Sequence, residues 1–141
     1  MAHYLIRDLV KKTGLSADTV RFYEKKTLIQ PTLRAENNYR YYDDDTLKRL
    51  IFIKRCRALD LSLKEIETLI ALEQQPDQDC QAVNELLDHH LVQIESKIAE
   101  LQHFQLQLQQ LRQSCNARTT IDHCQILKQL EADETPKSTS D

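Results

Sequence analysis

Three of the four cysteines in this 141-residue chain fall in a pattern that could do chemistry. Cys115 and Cys124 close the polar stretch SCNARTTIDHC, with His123 against the second thiol and Ile121 as its only bulky apolar residue. Cys80 stands 35 residues before Cys115. Thiolates are soft donors and select Zn(II), Cd(II), Hg(II), Pb(II) or Cu(I), to which an imidazole adds a borderline nitrogen. Buried inert cysteines are one alternative. A thiol-redox pair of Cys115 and Cys124 is another, and that pair would have no use for Cys80. Cys124 and His123 as nucleophile and base is a third. Adjacent loop residues seldom align for proton transfer, and no oxyanion-stabilising group accompanies them, so no enzyme is expected. Cys56, inside IKRCRAL, reads as a small core residue. His3 and His103 have no companions, and the adjacent His89 and His90 cannot face the same way on a helix.

What positions the thiols is a long helix. From Cys80 to Cys115 there is neither Gly nor Pro. Leu87, Ile94, Leu101 and Leu108 recur every seven residues, and Val83, Phe104 and Leu111 fill a companion seam that His90 and Lys97 interrupt. Five such repeats predict a coiled coil. A single helix cannot bury that stripe, so a homodimer is the economical expectation. The heptad series extended both ways lands on Cys80 and Cys115, roughly 50 Å apart along the helix at about 1.5 Å per residue. They cannot share a ligand within one chain. A parallel pair would set Cys80 beside its twin. An antiparallel pair would bring Cys80 of one subunit to Cys115 and Cys124 of the other, with His123 close by.

Upstream, Ile6, Leu9 and Val10 are spaced for a helix over 5–13 that ends at Gly14, the one glycine in the chain. Ser16 is a predicted N-cap for a second helix from Ala17 to about Lys26, carrying Val20, Phe22 and Tyr23. Two short helices across a glycine turn outline a helix-turn-helix. In PTLRAENNYRYYDDD, the tyrosines and Arg40 favour a short strand and Asn37-Asn38 a tight turn, which together would make a wing. Asp43, Asp44 and Asp45 suit the start of a helix running to about Leu59, with Leu47, Leu50 and Ile51 inward. SLKE, Ser62 to Glu65, is a capping box opening a further helix with Leu63, Ile66, Leu69 and Ile70 inward. QQPDQD breaks that helix. QILKQLE after Cys124 predicts a short helix turned back on the bundle, and DETPKSTSD a disordered tail. The expected organisation is thus 1–75 as the winged unit, 76–132 as dimerisation helix, loop and short helix, and 133–141 as tail.

Net charge is −3, but residues 1–74 carry 14 basic against 11 acidic side chains and residues 75–141 carry 5 against 11. Only the first part is suited to a polyanion. No apolar run of about 18 residues exists, so no membrane span is expected. MAHYLIRDLVKK lacks the apolar core of a signal peptide, which predicts a cytoplasmic chain with reduced thiols.

TGLSADTVRFYEKKTLI resembles the helix-turn-helix of the MerR family of transcription regulators, and RAENNYRYYDDDTLKRLIFIKRCRALDLSLKEI resembles its wing and following helices. The resemblance spans about residues 4–130, with TVRFYE, NYRYY and CRALDLSL in that order. It implies a mainly all-α fold, a winged helix-turn-helix followed by a long antiparallel coiled-coil dimerisation helix and a C-terminal metal-binding loop. It implies a homodimer on a two-fold site in double-stranded promoter DNA. Effector binding shifts the DNA-binding domains and distorts the DNA so that RNA polymerase can use both promoter elements, making deformability part of specificity. Carried over by position, Arg21 and Tyr23 on the second helix, Arg34, Tyr39 and Arg40 on the wing, and Arg57 look like DNA contacts, with core packing the alternative for Tyr23 and Tyr39. Relatives usually have Gly where Thr27 stands, and often Gly near Asn37-Asn38. Copper-type members lack a cysteine at the Cys80 position. Zinc-type members usually pair cysteines where Ser114-Cys115 stands. Mercury-type members share the Cys80, Cys115, Cys124 spacing. PDQDCQAVNELLDHH and CQILKQLE look closest to the cadmium- and lead-responsive members. The resemblance therefore implies a Cd(II)- or Pb(II)-responsive regulator with Cys80, Cys115 and Cys124 as ligands and His123 as a candidate fourth, Hg(II) or Zn(II) being the alternatives.

Overall fold

A computed structural model describes residues 3–31, 33–34, 39–115 and 118–132. The chain divides into two compact units, Met1–Asp88 and His89–Asp141, which are taken separately. The fold is mainly helical.

In the first unit, α1 (Ile6–Thr13) and α2 (Ala17–Lys25) form the helix-turn-helix. Its turn is built by the residues expected to build it. Gly14 adopts φ +78° and donates its N–H to the Val10 carbonyl at 2.8 Å, closing α1. The Ser16 hydroxyl then accepts from the Thr19 N–H at 3.0 Å, opening α2. The Thr13 hydroxyl, inside the turn, donates to the Leu9 carbonyl and accepts from the Leu15 N–H, so its burial leaves no polar atom wanting.

The wing follows. β1 (Leu33–Arg34) pairs antiparallel with β2 (Arg40–Tyr41), Leu33 opposite Tyr41 and Arg34 opposite Arg40. The turn expected at Asn37-Asn38 lies outside the described residues. Past β2, Tyr42 makes an isolated bridge with Tyr4, donating its N–H to the Tyr4 carbonyl at 2.8 Å and accepting from the Tyr4 N–H at 2.6 Å. The entry to α1 is therefore stitched to the exit of the wing. No local sequence signal announces that pairing.

α3 (Asp44–Ala58) begins where Asp43 caps the Thr46 N–H at 3.0 Å. α4 (Leu63–Glu73) opens on the capping box, Glu65 N–H to Ser62 Oγ at 3.0 Å and Ser62 N–H to Glu65 Oε1 at 2.8 Å. The core joins all four helices and the wing: Leu9, Val20, Tyr23, Leu28, Ile29, Tyr42, Leu50, Ile53, Cys56, Leu61 and Ile66. Each such fully buried side chain contributes about 1.5–3 kcal/mol. On α3, Leu50 and Ile53 are sealed while Leu47 and Ile51 are only half-buried, so the inward face is rotated by about one residue from the one the sequence suggested. Cys56 is buried there as expected, and burial pushes its thiol up.

Two helix ends use left-handed residues other than glycine. Thr27 has φ +61° and Asp60 φ +68°. Each closes a helix by the same pair of bonds: Leu28 N–H to Tyr23 O and Thr27 N–H to Glu24 O after α2, Leu61 N–H to Cys56 O and Asp60 N–H to Arg57 O after α3. Asp tolerates this conformation. A β-branched Thr does not do so freely, which is why glycine is the usual solution at such a turn.

α5 (Gln81–Gln113) is a single helix of 33 residues, beginning after the break at 74–80. Most of its apolar side chains are exposed, among them Leu87, Leu101, Phe104 and Leu108 of the two seams. In the second unit, a 3₁₀ turn (Ile121–His123) leads into α6 (Gln125–Glu131). Phe104, Leu108 and Leu111 of α5 and Leu130 of α6 line an open groove of about 570 Å³.

Thr27→Gly removes the left-handed strain and is expected to stabilise the protein by about 1 kcal/mol. The measurement is a urea titration whose midpoint rises while its slope is unchanged.

Candidate nucleic-acid interface and thiol cluster

Arg21, Tyr39 and Arg40 share one open cleft of about 570 Å³ with Leu5, Ile6, Arg7 and Tyr42. Three elements build it: the first turn of α1, the exposed side of α2 and the wing. Arg21 pairs with Asp18 one turn earlier at 3.3 Å, both largely exposed, an arrangement worth little in water. Arg40 is held more firmly, 3.6 Å from Glu24, whose carboxylate is mostly buried and also accepts from the Tyr42 hydroxyl at 2.7 Å. Glu24 thus ties α2 to the wing through two side chains. Burial first, then the bond to Glu24, pushes the Tyr42 phenol up to about 12.

The other expected DNA contacts fall in different places. Tyr23 is in the core at 6% exposure, beside Phe22, while Tyr39 is 58% exposed on the wing. The packing alternative therefore describes Tyr23 and not Tyr39. Arg57 is exposed but spends one guanidinium N–H on the Leu61 carbonyl at 2.9 Å, bracing the α3–α4 turn. Arg34 is placed by its backbone pairing with Arg40; its side chain lies outside the described residues. Arg7 and Glu24 were missed by sequence reasoning. Nothing local links either to the wing, because both connections run through contacts between distant segments.

The thiols form a second site. Cys115 follows α5 and Cys124 caps α6, and the Cys115 S–H donates to the Cys124 sulfur. The N–H groups of Leu127 and, less strongly, Ile126 favour the Cys124 thiolate, so its pKa lies below the ordinary thiol value despite some desolvation. His123 Nδ1 is 3.0 Å from the Thr120 hydroxyl, a contact that does not involve Nε2. The Nδ1 contact of His123 is thus with Thr120 and not with Cys124. Cys80 is exposed, just before α5. Among the described residues, no three His, Cys, Asp or Glu side chains of the chain converge as a metal site. Two adjacent sulfurs with amide support for a thiolate are the donor type that suits a soft ion.

A winged helix-turn-helix with a cationic cleft, followed by a long helix with an unburied apolar stripe, defines a dimerising DNA-binding regulator. The comparisons with known proteins agree. A profile described as "MerR HTH family regulatory protein" matches residues 4–73, and one described as "MerR, DNA binding" matches residues 47–111. The chain is 40% identical to the ZntR homolog of Haemophilus influenzae, an HTH-type transcriptional regulator, over 74% of this chain and 78% of that one. Among solved structures it is similar to the transcription regulator PbrR691 of Ralstonia metallidurans CH34 in complex with lead(II), with TM-score 0.76, 43% identity and coverage of 90% of this chain and 98% of that one. It is also similar to HiNmlR, a MerR-family regulator lacking the sensor domain, bound to promoter DNA, with TM-score 0.56, 26% identity and coverage of 73% and 78%. The chain belongs to the MerR family of transcription regulators.

Two predictions follow from this geometry. The raised Tyr42 pKa means that the folded state holds a proton the unfolded state releases above about pH 10. The stability it confers is present below pH 10 and is lost as pH rises toward about 12. Tyr42→Phe should flatten that alkaline loss, read as the unfolding midpoint against pH. Separately, in chelator-treated protein, alkylation of Cys124 should be half-maximal at a pH below the free-thiol value of about 8.5, followed by peptide mass spectrometry.

Proposed function

We propose that this regulator senses a soft divalent ion, Cd(II) or Pb(II) first, as a cytoplasmic homodimer on double-stranded promoter DNA. It activates genes for metal resistance or efflux and is not an enzyme. The observation that carries the reading is the contact between Cys115 and Cys124 with amide support for the Cys124 thiolate, taken together with the exposure of Cys80 before α5. The similar regulator crystallised with lead(II) supports the choice of ion class.

Cys115 and Cys124 hold two donor positions from one chain. Cys80 of a second chain completes a three-sulfur set where two α5 helices pair antiparallel through the exposed Leu87–Leu108 stripe. His123 Nε2, which the Thr120 contact at Nδ1 does not use, stands as a fourth donor that would favour Cd(II) or Zn(II) over Pb(II). When bound, the ion supplies a crosslink between the two subunits. Arg21, Arg34, Tyr39, Arg40 and Arg57 hold the DNA. The two winged units, moved relative to each other, bend and untwist it so that RNA polymerase can engage both promoter elements. Hg(II) and Zn(II) are the alternative effectors of the same site.

A thiol-redox reading draws on the same contact, because Cys115 and Cys124 are neighbours within one chain. The two are separated by Cys80→Ser. The metal reading expects this variant to bind DNA normally and to lose induction by Cd(II) and Pb(II); the redox reading expects a full response to oxidant. A panel of Cd(II), Pb(II), Hg(II), Zn(II) and Cu(I) against promoter output ranks the ions. The cross-subunit arrangement has its own test. Co-expressed Cys80→Ser and Cys115→Ser chains should recover roughly half of the native metal occupancy in the mixed dimer, since one end then carries all three sulfurs. Recovery of nothing would mean that each site is built within one chain.

A further inference from the structure

We propose that Arg7 is a DNA-backbone contact, its guanidinium taking a phosphate oxygen of the duplex at the cleft shared by α1, α2 and the wing. The inference rests on the DNA-binding reading and adds to it an anchor outside the reading helix and the wing.

The backbone pair between Tyr4 and Tyr42, at 2.6 and 2.8 Å, fixes the first turn of α1 against the wing. Arg7 is exposed in that turn and lines the cleft with Arg21, Tyr39 and Arg40. The three guanidiniums are not equivalent. Arg21 has Asp18 at 3.3 Å and Arg40 has Glu24 at 3.6 Å. Arg7 has no hydrogen bond or ion pair among the described residues. The carboxylate next to it, Asp8, is turned to the Leu5 N–H at 2.9 Å, and Asp44 accepts from the Tyr4 hydroxyl at 2.6 Å. Arg7 also sits where the helix dipole disfavours a cation, at the N-terminal turn of α1. A third positive charge placed there against its neighbours and its own helix is relieved by an anion. The cleft is open and edged by a wing tyrosine, which suits a polymer backbone running past it. Arg7 stands on the first helix and not on the second. In a helix-turn-helix, the first helix crosses the backbone while the second reads bases, so a phosphate is the expected partner.

The test uses the full chain and a labelled duplex from the promoter region beside its own coding sequence, with a scrambled duplex of equal length. Affinity is followed from about 50 to 200 mM salt. Arg7→Gln should lower the slope of log affinity against log salt by about one and weaken both duplexes by the same factor. Arg7→Lys should keep the native slope, which a purely structural role would not predict. An unchanged slope in Arg7→Gln, or a loss confined to the promoter duplex, overturns the phosphate contact while leaving the regulator intact. Failure of the native chain to bind either duplex overturns the regulator reading and the contact with it.

Discussion

The constraint on which everything else depends is the unburied stripe of α5. A helix of 33 residues with Leu87, Leu101, Phe104 and Leu108 open to water is not a stable end state for a solitary chain. In water it collapses onto something or finds a mate. The stripe has the seven-residue period of a helix made to lie along another helix, and α6 only borders an open groove along its last turns.

The DNA-reading unit is organised differently, around short polar ties. Its core is modest, and its wing is a two-residue ladder that would be marginal alone. Glu24 makes it a defined surface by gripping Arg40 and Tyr42 at once, and Tyr4 adds a third extended segment beside it. The wing is therefore held by α2 and by the entry to α1 as well as by its own short ladder.

Much of this was legible in the chain. Gly14, Ser16, Asp43 and the Ser62–Glu65 box act within four residues of themselves, and each stands where its chemistry predicts. The heptads of α5 are equally local. The Cys115–Cys124 approach could be suspected because only a short loop separates the two. What sequence patterning could not give were contacts between segments forty residues apart, Tyr4 with Tyr42 and Tyr4 with Asp44, and with them the setting of Arg7. The assignment of Tyr23 also exceeded the pattern. A helix of nine residues has room for an aromatic on either face, and packing decided that this one faces the core.

The burial of Cys56 has a chemical consequence. Four thiols are present in the chain, and an ion that seeks sulfur would otherwise find one of them in the very fold that touches DNA. Buried on the inner face of α3 within the core, with its thiolate disfavoured, Cys56 is withheld from electrophiles and oxidants alike.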